Sequence, residues 1–311
     1  MKHKSKKSKP DLRPDQVADL KPGEYSDGHP LDEVHYLESK VILKGERFNS
    51  VQDFYDFAEL VSKTVKKCDV DFDTSKFKGL KPQIREVLFL DTKDFRLYNN
   101  AFILRRRTTY EHGFLVGDPE IVFKFRHPDK QKAAEMDVRP NVSGDYRVKF
   151  KSEALPLKDK IGSYRLLFSH NVEFPLSAVS QMDGTPIGTL LHVLPALKTI
   201  KTSKTERIEL VNATAVDEVL LDLGMLNFGK GVEAKCNVAV WRTRGDEKQL
   251  VGEFAFQCKF QKRNKLHDKA MDRCKDFFCG LQHIASDWVA LGTTKTGAVY
   301  RLKGNSPKAH E

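Results

Sequence analysis

Arg105 and Arg107 stand two residues apart in the run Leu104-Arg105-Arg106-Arg107, and Lys124 and Arg126 do the same in Phe123-Lys124-Phe125-Arg126. A β-strand turns successive side chains to opposite faces, so each cationic pair points one way while Phe123 and Phe125 point the other. The alternation recurs along the chain. Tyr36, Glu38 and Lys40 oppose Leu37, Ser39 and Val41, and Glu135, Asp137 and Arg139 alternate with Met136 and Val138. Arg147, Lys149 and Lys151 oppose Tyr146, Val148 and Phe150, and Lys201, Lys204 and Arg207 precede Glu209. Late in the chain Glu253, Ala255, Gln257 and Lys259 oppose Phe254, Phe256, Cys258 and Phe260. One such strand is an ordinary half-solvated one. Many in succession put like charges on one pleated surface, which is stable only with carboxylates or a polyanion among them. Arginine and lysine in such a setting suit charge-assisted hydrogen bonds to phosphate oxygens. Carboxylates on facing strands suit a divalent cation that orients water for phosphoryl cleavage.

The elements that must position these residues follow from the same pattern. Residues 87–92 and 101–107 form two strands, with Asn99-Asn100 in the intervening segment tolerating positive φ. Asn49 or Ser50 caps a helix whose stripe is Val51, Phe54, Phe57, Val61 and Val65, and 268–288 carries a second stripe from Met271 to Trp288. Shorter strands are expected at 164–168 and 172–174, a helical turn at 176–182, a strand pair at 233–242 and 249–260, and a last strand at 298–302. A sheet with its apolar side outward and its ionic side inward reverses the usual core. Closure resolves that reversal and removes the edge strands. The expectation is an α+β fold: a closed antiparallel β-barrel, or tunnel, of about eight strands, with a charged lumen and covering helices.

With 311 residues, 40% of them hydrophobic, the chain can bury a sizeable core. Its formal charge of +10 permits an anionic partner, and Lys2, Lys4, Lys6, Lys7 and Lys9 supply five of its positive charges. Residues 1–30 read as a flexible basic leader, 31–302 as the barrel domain and 303–311 as a tail. No apolar run follows the lysines and nowhere do 18 apolar residues follow one another. The expected setting is therefore the cytoplasm, with no membrane association. The five cysteines contain no C-x-x-C pair and the ten histidines no H-E-x-x-H, which argues against a disulfide framework and zinc hydrolysis. Residues 224–231 fit G-x-x-x-x-G-K, but Gly231 follows the lysine and a strand pattern follows that, so a glycine-rich turn is expected.

The order of these motifs resembles the CYTH, or triphosphate tunnel metalloenzyme, superfamily over roughly residues 33–302. Tyr36-Leu37-Glu38-Ser39-Lys40 resembles its E-x-E-x-K strand, and Asp91-Thr92, Leu97 and Leu104-Arg105-Arg106-Arg107 its D-T…L…L-R-x-R stretch. Phe123-Lys124-Phe125, Glu135-Met136-Asp137, Lys204-Thr205-Glu206-Arg207, Gly252-Glu253-Phe254-Ala255 and Lys295 resemble its later elements. The resemblance implies that Lys40, Arg105, Arg107, Lys124, Arg207 and Lys295 bind phosphates and that Glu38 and Glu253 hold Mg²⁺ or Mn²⁺. Glu38, Lys40 and Glu253 would then stand at the reacting phosphate. By facing alone, Arg126, Lys149 and Lys204 join the phosphate set, and Glu135, Asp137 and Glu209 the metal set. Tyr36 and Ala255 stand where the pattern has carboxylates, which lowers the expected affinity for a hard cation.

Two functions follow as expectations, and a third class ranks last. The first is metal-dependent hydrolysis of a triphosphate-bearing compound: inorganic triphosphate, thiamine triphosphate or a nucleotide. The second is binding of polyphosphate or a phosphorylated metabolite without turnover, which the missing carboxylates favour. Nucleic-acid binding is not expected, because the aromatics alternate opposite to the cations instead of sharing their face as a stacking platform requires.

Overall fold

The computed structural model describes residues 33–179, 182–259, 267–305 and 307–308. The lysine-rich leader 1–30, Phe260 and parts of the tail 303–311 lie outside the described residues. The strands are β1 (Tyr36–Leu43), β2 (Asp71–Asp73), β3 (Gln83–Thr92), β4 (Phe102–Glu111), β5 (Phe114–His127) and β6 (Arg147–Pro156). They continue as β7 (Tyr164–Pro175), β8 (Ile208–Leu210), β9 (Val216–Asn227), β10 (Glu233–Thr243) and β11 (Gln249–Lys259).

Hydrogen bonding runs β9-β10-β11-β1-β6-β7-β5-β4-β3, and β3 pairs again with β9, so nine strands close a barrel while β2 and β8 attach outside it. The closed barrel with a charged interior and helical cover is as expected. Its nine strands slightly exceed the expected eight, and one pair departs from the antiparallel rule. β1 lies parallel to β6, with Glu38 opposite Glu153. The chain between them makes a long crossover through other strands, which parallel pairing requires.

Helices α1 (Val51–Lys67) and α5 (Asp268–Ile284) lie on the outside of one half of the barrel. Ser50 opens α1 in a capping box, its backbone N–H donating to Asp53 Oδ2 at 2.6 Å. Phe54, Phe57, Val61 and Val65 then pack with Phe254 and Phe256 of β11 and Phe277 and Phe278 of α5 in one cluster. On the other half, Phe102, Phe123, Phe125 and Phe174 pack outward against Leu190, Leu194 and Leu197, with α4 (Ile187–Val193) among them. Among the described residues no helix is long and apolar enough to cross a membrane. The five cysteines are free thiols, Cys236, Cys258 and Cys274 of them buried.

The barrel interior is divided along its length. At one end the inward side chains are ionic. At the other, Ile42, Val87, Phe89, Ile103, Leu155, Leu167, Val216, Trp241 and Val251 form an apolar plug with Val299 and Tyr300. Those last two belong to a short helix, α6 (Lys295–Tyr300), in place of the expected strand at 298–302. Thr294 caps it, accepting from the Gly297 N–H at 3.0 Å. The interior is a charged chamber backed by an apolar plug, where a wet passage was expected.

Three further expectations change, and the glycine-rich turn at 224–231 is found as expected. Residues 164–175 form one strand, β7. Of the helical turn expected at 176–182, a 3-10 turn covers Leu176–Ala178. Before β4, the positive φ falls on Phe95 (55°) and Ala101 (68°), with α2 (Arg96–Asn99) between them. The cause is Asp91, whose buried carboxylate accepts from the N–H groups of Thr92, Leu97 and Tyr98 and winds the chain around itself. The G-x-x-x-x-G-K segment is the β9–β10 hairpin turn, with Gly229, Lys230 and Gly231 all at positive φ.

A candidate anion-binding chamber

Because β-strand side chains alternate, each barrel strand delivers every second residue to the lumen. Arg105 and Arg107 come from β4, Lys124 and Arg126 from β5, Lys149 and Lys151 from β6, and Glu38 and Lys40 from β1. They surround a cavity of about 280 Å³ lined by nine cationic and four carboxylate side chains. A fifth carboxylate, Glu153, lies beneath the wall and is fully buried.

The charges are arranged in clusters. Glu153 receives Lys40 at 3.0 Å, Lys124 at 3.1 Å and Arg126 at 3.5 Å, and Ser169 donates to it at 2.5 Å. Lys40 also reaches Glu38 at 2.9 Å, and Lys151 approaches Glu38 at 3.4 Å. From β9 and β11, Glu218 pairs with Arg85 at 2.7 Å and Lys295 at 3.1 Å, and Lys295 bridges to Glu253 at 2.8 Å. Nearer the rim Glu173 holds Lys149 at 2.7 Å, and Arg107 pairs with Glu120 at 3.1 Å.

Protonation follows from this crowding. Burial pushes Glu38 up, but Lys151 and Lys40 outweigh it and hold the carboxyl well below its usual range. Burial likewise opposes ionisation of Glu153 and Glu218, and Lys124 and Lys40 for the first, Lys295 and Arg85 for the second, keep both charged. Lys40 is raised because Glu153, Glu38 and Glu253 overcome its burial. Lys124 is lowered to about 7 by burial, since Glu153 is shared and Lys40 and Arg126 repel it. Arg105 falls to about 10, through burial and then through Arg107 beside it.

The Arg105 side chain makes no hydrogen bond or ion pair among the described residues, and its buried Nε has no acceptor. The buried Nε atoms of Arg85 and Arg107 also lack acceptors. Buried donors without partners cost stability, and an anion in the chamber would accept from these three; the Nε atoms of Arg106, Arg165 and Arg242 carry the same feature outside the chamber.

Of the residues singled out in the sequence, Glu38, Lys40, Arg105, Arg107, Lys124, Arg126, Lys149, Glu253 and Lys295 line this chamber. Five do not. Lys204 and Arg207 are exposed in the segment before β8, where Arg207 donates to the Gly184 carbonyl. Glu209 lies on β8 opposite Asp91, outside the barrel. Glu135 ends α3 (Lys130–Glu135), accepting from Gln131 at 2.8 Å, and Asp137 pairs with Arg139 in non-strand backbone. Glu135 with Asp137, and Arg207 with Glu209, do alternate in sequence, but these segments are not barrel strands, and Lys204 stands three residues from Arg207, out of step with it.

Sequence reasoning passed over Arg85, Glu153, Glu173 and Glu218. Glu153 continues the spacing of Arg147, Lys149 and Lys151, a signal that was there to read. Arg85 shares the parity of Val87 and Phe89, and Glu218 that of Leu220, so apolar neighbours hid both.

The donor set does not fit a resident Mg²⁺ or Mn²⁺. Among the described residues no three His, Cys, Asp or Glu side chains come together as a metal set. Tyr36 is ringed by lysines, with Lys259, Lys151 and Lys149 at 5.7, 5.9 and 6.0 Å from its ring, and Ala255 offers no oxygen. Each carboxylate lining the chamber is engaged by a lysine or arginine.

No protein-family model and no curated protein sequence matches this chain. Among the solved structures similar to it at low identity are the following three. One is a Hippeastrum protein described as an adenylyl cyclase candidate with a dominant triphosphatase activity, at 13% identity and a TM-score of 0.40, covering 88% of this chain and 98% of that one. A Bacillus halodurans adenylate cyclase candidate has 10% identity and a TM-score of 0.37, covering 85% and 95%. A Pyrococcus horikoshii protein has 8% identity and a TM-score of 0.35, covering 86% and 100%.

Proposed function

We propose that this protein is a divergent member of the CYTH superfamily that binds the phosphate chain of a small molecule inside its barrel without hydrolysing it. One observation carries the reading: cations exceed carboxylates nine to four among the side chains that line the cavity, and the Arg105 side chain projects into it with no hydrogen-bond or ion-pair partner among the described residues. A linear polyphosphate offers closely spaced anionic oxygens to several strands at once, which a single carboxylate ligand does not. Hydrolysis through a bound divalent ion, the other expectation from sequence, has less support, because a lysine or arginine already engages each carboxylate lining the chamber.

The test is a panel of tripolyphosphate, thiamine triphosphate and nucleoside triphosphates, with orthophosphate as control. Ligand at about 100 times its Kd should stabilise the fold by about 2.7 kcal/mol, read as a rise in melting temperature in EDTA. Phosphate release with Mg²⁺ or Mn²⁺ should stay at the background rate. Absence of stabilisation by every compound contradicts binding, and metal-dependent release contradicts the lack of turnover.

Lys124 gives the binding a pH dependence. Its folded value near 7 lies below the ordinary 10.5, so between those limits the unfolded chain holds the extra proton. Unfolding free energy from this group therefore rises as pH increases from 7 towards 10.5. A phosphate chain favours the ammonium form, so binding above pH 7 takes up a proton. Affinity should weaken by up to about tenfold per pH unit from 7 to 9. Calorimetry in buffers of different ionisation enthalpy should show that uptake in the wild type and less of it in Lys124→Met. An equal proton count in both removes Lys124 from the site.

A further inference from the structure

We infer that Lys295 is the chamber's built-in counter-cation, an ammonium seated between Glu218 and Glu253 where a divalent ion would have to sit, so that phosphate is taken up without a metal. The phosphate half of this inference rests on the function proposed above; the cation half stands on geometry alone. Lys295 Nζ lies 3.1 Å from Glu218 Oε1 and 2.8 Å from Glu253 Oε1. It sits 4.8 Å from the centre of the Trp241 ring, whose Nε1 donates to the same Glu218 oxygen at 2.9 Å. An ammonium over an indole face and between two carboxylates is held on three sides.

Its backbone is fixed as well. Lys295 opens α6, which Thr294 caps and which Val299 and Tyr300, both fully buried, anchor in the apolar plug. The Tyr300 hydroxyl donates to Asp91 at 3.0 Å. Displacing the ammonium thus means moving a side chain whose root is locked in the core. Lys40, on the strand next to that of Glu253, repeats the device, bridging Glu38 and Glu153 at 2.9 and 3.0 Å. A hard cation needs carboxylate oxygens at about 2.0–2.6 Å, and here it would meet the ammonium already between them. Tyr36 and Ala255, by withholding two further carboxylates, leave nothing to outbid the lysines.

Removing the ammonium should therefore create a metal site. Mn²⁺ alone, titrated into the full chain and followed by calorimetry and by loss of the free-ion paramagnetic resonance signal, should show no saturable site in the wild type. Lys295→Met keeps the apolar stem and should gain one saturable site, on the order of tenfold or more tighter than any residual Mn²⁺ binding to the wild type. Lys295→Met combined with Glu253→Gln should lose it again. A saturable Mn²⁺ site in the wild type of the same strength overturns the inference, and so does a Lys295→Met protein with native circular dichroism that gains nothing. If Lys295→Met does not fold, the wild-type titration still decides.

The second arm adds tripolyphosphate to the wild type in EDTA and in excess Mn²⁺. Equal stabilisation supports the inference, and stabilisation that requires Mn²⁺ overturns it. Failure of tripolyphosphate to bind under both conditions defeats the proposed function, while the Mn²⁺ titration continues to judge Lys295.

Discussion

Glu153→Ala is expected to destabilise the protein by about 3–5 kcal/mol, because it removes the one carboxylate shared by Lys40, Lys124 and Arg126 and leaves three cations facing one another in the wall. Chemical denaturation should show a lower midpoint at an unchanged slope. The same variant should gain more stability from saturating tripolyphosphate than the wild type gains, since the anion then supplies the missing negative charge. Glu153→Gln, which keeps the shape and the Ser169 contact, separates charge from packing and should lie close to Glu153→Ala. A loss below about 1 kcal/mol would mean that the three cations find relief elsewhere.

Asp91→Ala carries the second large effect, away from the chamber. Its carboxylate accepts from Thr92, Leu97 and Tyr98 N–H groups at 2.7–2.9 Å and from the Tyr300 hydroxyl at 3.0 Å, and the residue is almost fully buried. Each donor left without an acceptor costs about 1–3 kcal/mol, so a loss of at least about 3 kcal/mol is expected. Burial raises this carboxyl to about 7 against the pull of its donors, above the ordinary 3.8. The folded state therefore binds the extra proton between those limits, and stability from this group declines as pH rises from 3.8 to 7. Asp91→Asn should flatten that slope, measured as denaturation midpoint against pH. An unchanged slope would assign the proton to another group.

The Asp-Thr pair that resembles a family motif thus acts structurally here. Asp91 winds α2 and, through Tyr300, ties down the helix that delivers Lys295. Periodicity showed the two neighbours of the motif, but it could not show what a carboxylate on the apolar side of a strand was for.

The chamber itself was legible where a long strand carried a strict two-residue alternation. Arg105 with Arg107, Lys124 with Arg126, and Glu38 with Lys40 all face inward as their spacing requires. The same alternation misled at Glu135, Asp137 and Glu209, because parity has meaning only once a segment is hydrogen-bonded into the barrel, and Lys204 and Arg207, three residues apart, fall on an exposed segment outside it. Pairing is a long-range property, so the parallel contact of β1 with β6 left no local trace. The plug was missed for a different reason: Lys295–Tyr300 is too short to show a helical stripe, and β-branched Val299 beside Tyr300 reads as strand. Thr294 as a cap was its one sequence signal.

The structure of the full chain crystallised in EDTA and soaked with tripolyphosphate tests the central claim most directly. The expected result is a phosphate chain inside the barrel within hydrogen-bonding distance of Arg85, Arg105 and Arg107, with Lys295 still between Glu218 and Glu253. Phosphate density only on the outer surface, or phosphate that enters the barrel only with a metal ion on Glu38 or Glu253, would contradict it.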